Sequence, residues 1–239
     1  YNKDTMTVLF AGDSDSLEKY EKALPEFTGK FKATEFPKQK YELPVPAKRE
    51  AITIDSTVQY VAVNASLTPN GVPMSYKGYV ISAILNNLML TPEIRLKGGA
   101  YGVSASIADN SYFVATYRDS NYVNSLNIIG GTDEFLNSIV PYMTEETLES
   151  YLLSLLSSVN QSNGEISDTM STLVSKYNGI TVKDKINRLN ELKSTTVSDI
   201  KAYAEYLAKL NENLNYIVAA SPAEIEKNRD LFDVVITLN

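Results

Sequence analysis

The chain has 239 residues, with 22 basic against 29 acidic side chains, a net charge of −7, 44% hydrophobic residues and 21% charged ones. That composition suits one globular domain with a sizeable core. It argues against nucleic acid as a partner, because phosphate binding needs a basic patch and no Lys/Arg cluster stands out. There is no cysteine and no histidine. Disulfides, thiolate sites and the commonest zinc ligand are therefore all missing from these residues.

An absence of disulfides agrees with a reducing compartment, and a cytoplasmic location is the expectation. No apolar run approaches the roughly 18 residues of a membrane helix, so no membrane partner is expected. The chain opens Tyr1-Asn2 without an initiator Met and reads as cut from a longer polypeptide.

In chain order, Thr5–Phe10 alternates weakly and reads as a strand. Asp13-Ser14-Asp15 is the nearest approach to a calcium loop but lacks the later Gly and Glu, and reads as a helix start. Ser14–Leu24 then forms a helix that should stop before Pro25. Residues 25–48, rich in Pro and Lys, read as a solvated connector with room for one short strand. Glu50–Ile54 and Thr57–Asn64 are β-branched and alternating, and Asp55-Ser56 between them predicts a paired hairpin.

From Ser75 the period changes. Val80, Ile81, Ile84, Leu85 and Leu88 share one face of a helix running to about Leu90. Thr91-Pro92 looks like the cap and first turn of a second short helix, ended by Gly98-Gly99. Val103–Ile107 and Tyr112–Tyr117 form a hairpin about Asp109-Asn110. Asn124–Ile129 reads as a further strand. After Gly130-Gly131 the chain turns helical, with Thr132, Thr144, Thr181, Thr196 and Ser221 as N-cap candidates. Strands at Leu214–Ala219 and Val234–Leu238 flank a last helix. The fold class is α+β: an antiparallel or mixed sheet of five to seven strands with helices mainly on one face, in a single domain over 1–239.

Residues 91–119 are the distinctive segment. A long helix leads into Arg95-Leu-Lys-Gly-Gly-Ala-Tyr101-Gly, and a hairpin follows that ends Tyr117-Arg118-Asp119. This resembles the C-terminal domain of insulinase/pitrilysin-type zinc metallopeptidases, most closely the presequence-protease subgroup, with the close match running from about Tyr60 to Gly131. The resemblance implies a two-halved enzyme that degrades oligopeptides. Its N-terminal half would hold zinc through an inverted His-x-x-Glu-His motif, and the other half would close the chamber.

By position, the resemblance makes Arg95 and Tyr101 substrate-binding residues. Tyr101 would also donate to the scissile carbonyl as charge develops there. Gly98 and Gly99 would let the backbone turn so that both side chains face one cavity. No cofactor is expected in this segment, since zinc belongs to the missing half. The expected partners are that N-terminal half and peptide substrates, and the segment alone should be inactive.

Other readings of the same residues stand beside these. Arg95 in a last helical turn suits the helix dipole, and Tyr101 could be one more packed aromatic among 16 tyrosines. Lys97-Gly98-Gly99 lacks phosphate-loop spacing. Arg118 and Asp119 are expected to form an ion pair at the hairpin end, and Glu145-Glu146 to occupy a helix first turn. The alternative function is a structural or peptide-binding domain of an inactive family member.

Overall fold

The computed structural model describes residues 2–35, 37, 40–42, 48–160 and 162–237. The strands are β1 (Arg49–Thr53), β2 (Gln59–Ser66), β3 (Gly102–Ala108), β4 (Ser111–Asp119), β5 (Asn215–Ala220) and β6 (Val234–Thr237). The helices are α1 (Ser14–Gly29), α2 (Gly78–Leu85), α3 (Tyr122–Gly130), α4 (Thr132–Ile139), α5 (Glu145–Asn160), α6 (Glu165–Tyr177), α7 (Val182–Lys193), α8 (Val197–Asn211) and α9 (Pro222–Lys227). Helix α2 runs without a break into a π-helical stretch, Asn86–Lys97. Among the described residues no helix is long and apolar enough to cross a membrane.

The six strands form one mixed sheet in the order β3-β4-β2-β5-β1-β6, within the α+β class the sequence predicts. β2 lies antiparallel to β4 and β5, whereas β1 is parallel to β5 and β6. The expected hairpin of β1 and β2 is therefore corrected. The two strands do run opposite ways, but β5 lies between them. Residues 54–58 span that strand's width, about 10 Å for two inter-strand steps. β5, apolar along Tyr216–Ala220, fills the central place.

Alternation puts Val61, Val63, Ala65, Ala105, Ile107, Tyr112, Val114 and Val218 on one buried face. Helices α2, α3, α8 and α9 and the π-helical stretch pack against the strands. The other face, with Phe113, Tyr117 and Ile236, is open.

The helical face is read only partly right from the sequence. Val80, Ile81, Ile84 and Leu85 are fully buried, but Leu88 is 43% exposed, and Leu90 and Ile94 take its place in the core. The apolar step is four residues from Ile81 to Leu85 and five from Leu85 to Leu90. Five is the step a π-helical turn demands. The same widening explains why Thr91-Pro92 starts no new helix. The larger turn draws the preceding carbonyls away from the Pro92 ring, so the helix continues through it.

Other expectations are also corrected. Asn124–Ile129 lies inside helix α3, which Asn121 caps by accepting the Asn124 N–H at 3.1 Å. Helix α1 continues through Pro25 to Gly29. Thr5–Phe10 forms no strand: a 3-10 turn ends at Thr5, and no strand partner adjoins the residues that follow. Residues 36, 38, 39 and 43–47 of the 25–48 connector, and Leu238, lie outside the described residues. Thr144, Thr181 and Ser221 do cap, each accepting the N–H three residues on. Thr132 instead is buried, the first residue of α4, with Gly131 in the cap position.

Two compact units stand within 1–239. One comprises residues 1–45 with 160–185, and the other 46–159 with 186–239. The second holds the whole sheet and the hydrophobic core. In the first, Phe10 stacks on Tyr20 at 4.6 Å and Phe27 meets Phe31 edge-on, yet none of its described residues is buried.

Candidate functional site

Three pieces of backbone meet at one end of the sheet: the end of the π-helical stretch, the start of β3 and the end of β4. The helix closes when the Gly99 N–H donates to the Arg95 carbonyl at 3.1 Å and the Ala100 N–H reaches back to Ile94 at 3.1 Å. Closure puts Gly99 at φ +80°, the left-handed region that side chains avoid. A Cβ on Gly98 would lie 2.5 Å from the Ile94 carbonyl oxygen. The Gly98 carbonyl accepts from Ser120 Oγ, and the Tyr101 N–H donates to the carbonyls of Tyr117 at 3.1 Å and Arg118 at 3.3 Å. These bonds fix Arg95 and Tyr101 on either side of one turn.

Val58, Arg95, Leu96, Gly99, Tyr101 and Arg118 line an open recess of about 520 Å³ there. Tyr101 is 69% exposed. Its ring meets Tyr117 edge-on at 5.9 Å, and Tyr117 meets Tyr60 at 5.7 Å, an aromatic ladder along the sheet end. Among the described residues neither the Tyr101 hydroxyl nor the Arg95 guanidinium has a hydrogen-bond or ion-pair partner. The recess thus brings together Arg95, Tyr101 and Gly99, with Gly98 one residue behind.

Arg118 is the residue that sequence reasoning misplaced. No ion pair joins it to Asp119. Asp119 is 1% exposed, turned inward, with its Oδ1 accepting the Asn121 N–H at 2.9 Å. Arg118 points outward into the recess. The Tyr-Arg-Asp ending carries no signal for this: Tyr117 and Arg118 are both exposed and only Asp119 is buried, because β4 carries an extra residue there.

A more enclosed cavity of about 250 Å³ lies at the other end of the β3–β4 hairpin, among Tyr76, Tyr79, Asp109 and Glu191. Two of its polar groups are engaged with each other. Ser75 donates to Glu191, and the Arg188 guanidinium lies 4.6 Å from the centre of the Tyr79 ring.

Chemically, the open recess offers a phenol O–H and guanidinium forks. These are donors suited to carbonyl and carboxylate oxygens. It offers no metal ligands, and among the described residues no group of three or more carboxylates is placed to hold a metal ion. With histidine and cysteine absent throughout, the residues present do not fit a zinc site.

Comparison with known proteins agrees with this architecture. The model of the PreP C-terminal domain matches residues 49–222, most of the chain. The chain belongs to that family. Protein HypA of Clostridium perfringens is 26% identical over 237 residues, covering 98% of this chain and 24% of its own length. Presequence protease 1 of Arabidopsis thaliana, chloroplastic/mitochondrial, is 26% identical over 184 residues, covering 76% of this chain and 17% of its own. This chain therefore spans a quarter or less of those relatives. The crystal structure of pitrilysin superposes with a TM-score of 0.55 at 9% identity, over 86% of this chain and 23% of that one, which shows a shared fold. The PreP C-terminal domain is of the insulinase/pitrilysin type, and the relatives named as proteases are hydrolases.

Proposed function

We propose that this PreP C-terminal domain is the substrate-binding, chamber-closing part of a zinc metalloendopeptidase that degrades oligopeptides. Residues 1–239 act in it as one C-terminal segment. An N-terminal half supplies the zinc, and the peptide lies between the two parts. Arg95 holds a peptide carbonyl, and Tyr101 donates to the scissile carbonyl as negative charge develops.

One observation carries this reading: Tyr101 and Arg95, both without hydrogen-bond or ion-pair partners among the described residues, line the same open recess. Both side chains are exposed, and their convergence on one recess supplies donors for peptide oxygens. The alternative, a structural or peptide-binding domain of an inactive family member, needs no turnover.

Tyr101→Phe in the full-length protein separates them. It removes one O–H and little volume. Loss of one oxyanion donor lowers kcat by about 10²–10³, and KM should change less, because the bond strengthens only in the transition state. Wild-type turnover in a correctly folded Tyr101→Phe enzyme would end the catalytic role. A full-length wild type that binds peptides and cleaves none would favour the alternative.

A further inference from the structure

The recess contains a charge arrangement that the roles of Arg95 and Tyr101 do not use. The chain has five arginines. Arg49 pairs with Asp233 at 2.6 Å, Arg188 lies over Tyr79, and Arg229 donates to the Phe232 carbonyl at 2.6 Å. Among the described residues only Arg95 and Arg118 make no such contact, and both line the same recess. Among the described residues no acidic side chain lines it, on a molecule whose net charge is −7.

The backbone delivers Arg118 there at some cost. Pairing of β2 with β4 jumps from Gln59↔Asp119 to Val61↔Thr116, so β4 carries one extra residue. Arg118 sits in that bulge at φ +50°, a conformation that few residues other than glycine and asparagine take up readily. Bulges re-aim side chains in this way. The nearest carboxylate in sequence, Asp119, is buried, and among the described residues it forms no ion pair with Arg118.

We propose that Arg118 is a specificity-determining residue: with Arg95 it forms a two-guanidinium seat for a carboxylate of the bound peptide. The inference rests on the reading of the recess as a peptide site. Two like charges on one recess disfavour each other until an anion lies between them. A carboxylate matches a guanidinium fork with two parallel hydrogen bonds, which an ammonium cannot provide. Neutral peptide carbonyls would accept one such bond and would not require the second charge. The carboxylate is either the peptide's free C-terminus or an Asp or Glu side chain.

The test uses the full-length protein and two pairs of otherwise identical peptides: C-terminal acid against amide, and internal Asp against Asn. Wild type should favour the carboxylate member of one pair by roughly tenfold in kcat/KM, mainly through KM, and less so at high salt. The pair that shows the preference identifies the source of the carboxylate. Arg118→Asn removes the charge while tolerating positive φ, and should bring that ratio close to one. Arg118→Lys should restore part of it. Equal handling of both pairs by wild type, or an unchanged ratio in Arg118→Asn, overturns the proposal. If wild type cleaves none of the four, the peptidase reading fails by itself. Fluorescence anisotropy with the labelled peptides then gives the same ratio as a binding preference, and equal affinities overturn the carboxylate seat.

Discussion

Lys77 and Asp199 show how a single side chain ties elements together and how pH should act on it. Their ion pair is 2.8 Å long and only about a quarter exposed on each side. Burial works against the Asp199 charge, but hydrogen bonds from Lys77 and Thr196 outweigh it and hold the carboxyl below its ordinary value. A folded value below the unfolded one means stability that is present above about pH 4 and lost as pH falls through the folded value. Asp199→Asn should therefore lower Tm at pH 7, and the gap from wild type should close in strong acid. A gap that stayed constant down to pH 2 would show that the charge is not responsible. In the recess, Arg95→Lys keeps the charge and loses the fork, so in full-length protein it should raise KM while leaving Tm within about a degree. At this scale the sequence was legible where a motif fixed the spacing, as for Arg95 and Tyr101, whose shared recess follows from the two glycines. It was not legible for Arg118, because nothing in Tyr-Arg-Asp announces a bulge.

Strand β3 forms one edge of the sheet, and such an edge leaves backbone groups unpaired unless something covers it. Side chains of the neighbouring helix do so. The Asn86 amide accepts the Ala105 N–H at 2.7 Å and donates to the Ala105 carbonyl at 2.9 Å, while Ser82 Oγ accepts the Ile107 N–H at 2.7 Å. Ser82 and Asn86 lie one helical turn apart, matching the two-residue step along the strand. Asn86→Leu should leave both Ala105 groups without partners and cost about 1–3 kcal/mol for each, read as a lower urea midpoint with an unchanged m-value. A midpoint equal to wild type would mean that water replaces the amide. The hairpin of β3 and β4 was readable because Asp109-Asn110, at φ +49° and +63°, carry their turn chemistry locally. The π-helical stretch was not, because one five-residue step, Leu85 to Leu90, interrupts apolar spacing that is otherwise four. The β1–β2 hairpin failed for a different reason. A short loop says that two strands run opposite ways, and it does not say that nothing lies between them. The order of a mixed sheet depends on a strand some 160 residues later in the chain, beyond the reach of any local rule.

Across the whole molecule, apolar surface is unevenly covered. The sheet-bearing unit contains the entire core, whereas the unit made of residues 1–45 and 160–185 has no buried residue among those described. On helix α6, Ile166, Met170, Val174 and Tyr177 follow one another at helical spacing and are 76%, 49%, 52% and 65% exposed. Single exposed apolar residues are common, but a stripe along one helix face marks a surface that normally meets something. In the proposed enzyme the rest of the polypeptide, about three-quarters of its length by comparison with the relatives, is available to meet it. The consequence is testable by comparing one double substitution in two contexts. Ile166→Glu with Val174→Glu removes the stripe without touching the core, so in the 239-residue chain it should leave Tm nearly unchanged and reduce binding of a hydrophobic dye. In full-length protein the same pair would place two charges against a dry surface, and burying even one unpaired charge costs several kcal/mol. Tm should then fall by several degrees, or the full-length form should lose its cooperative transition. If the substitutions are as harmless in full-length protein as in the 239-residue chain, the α6 stripe stays in water throughout and is no docking surface in the proposed enzyme.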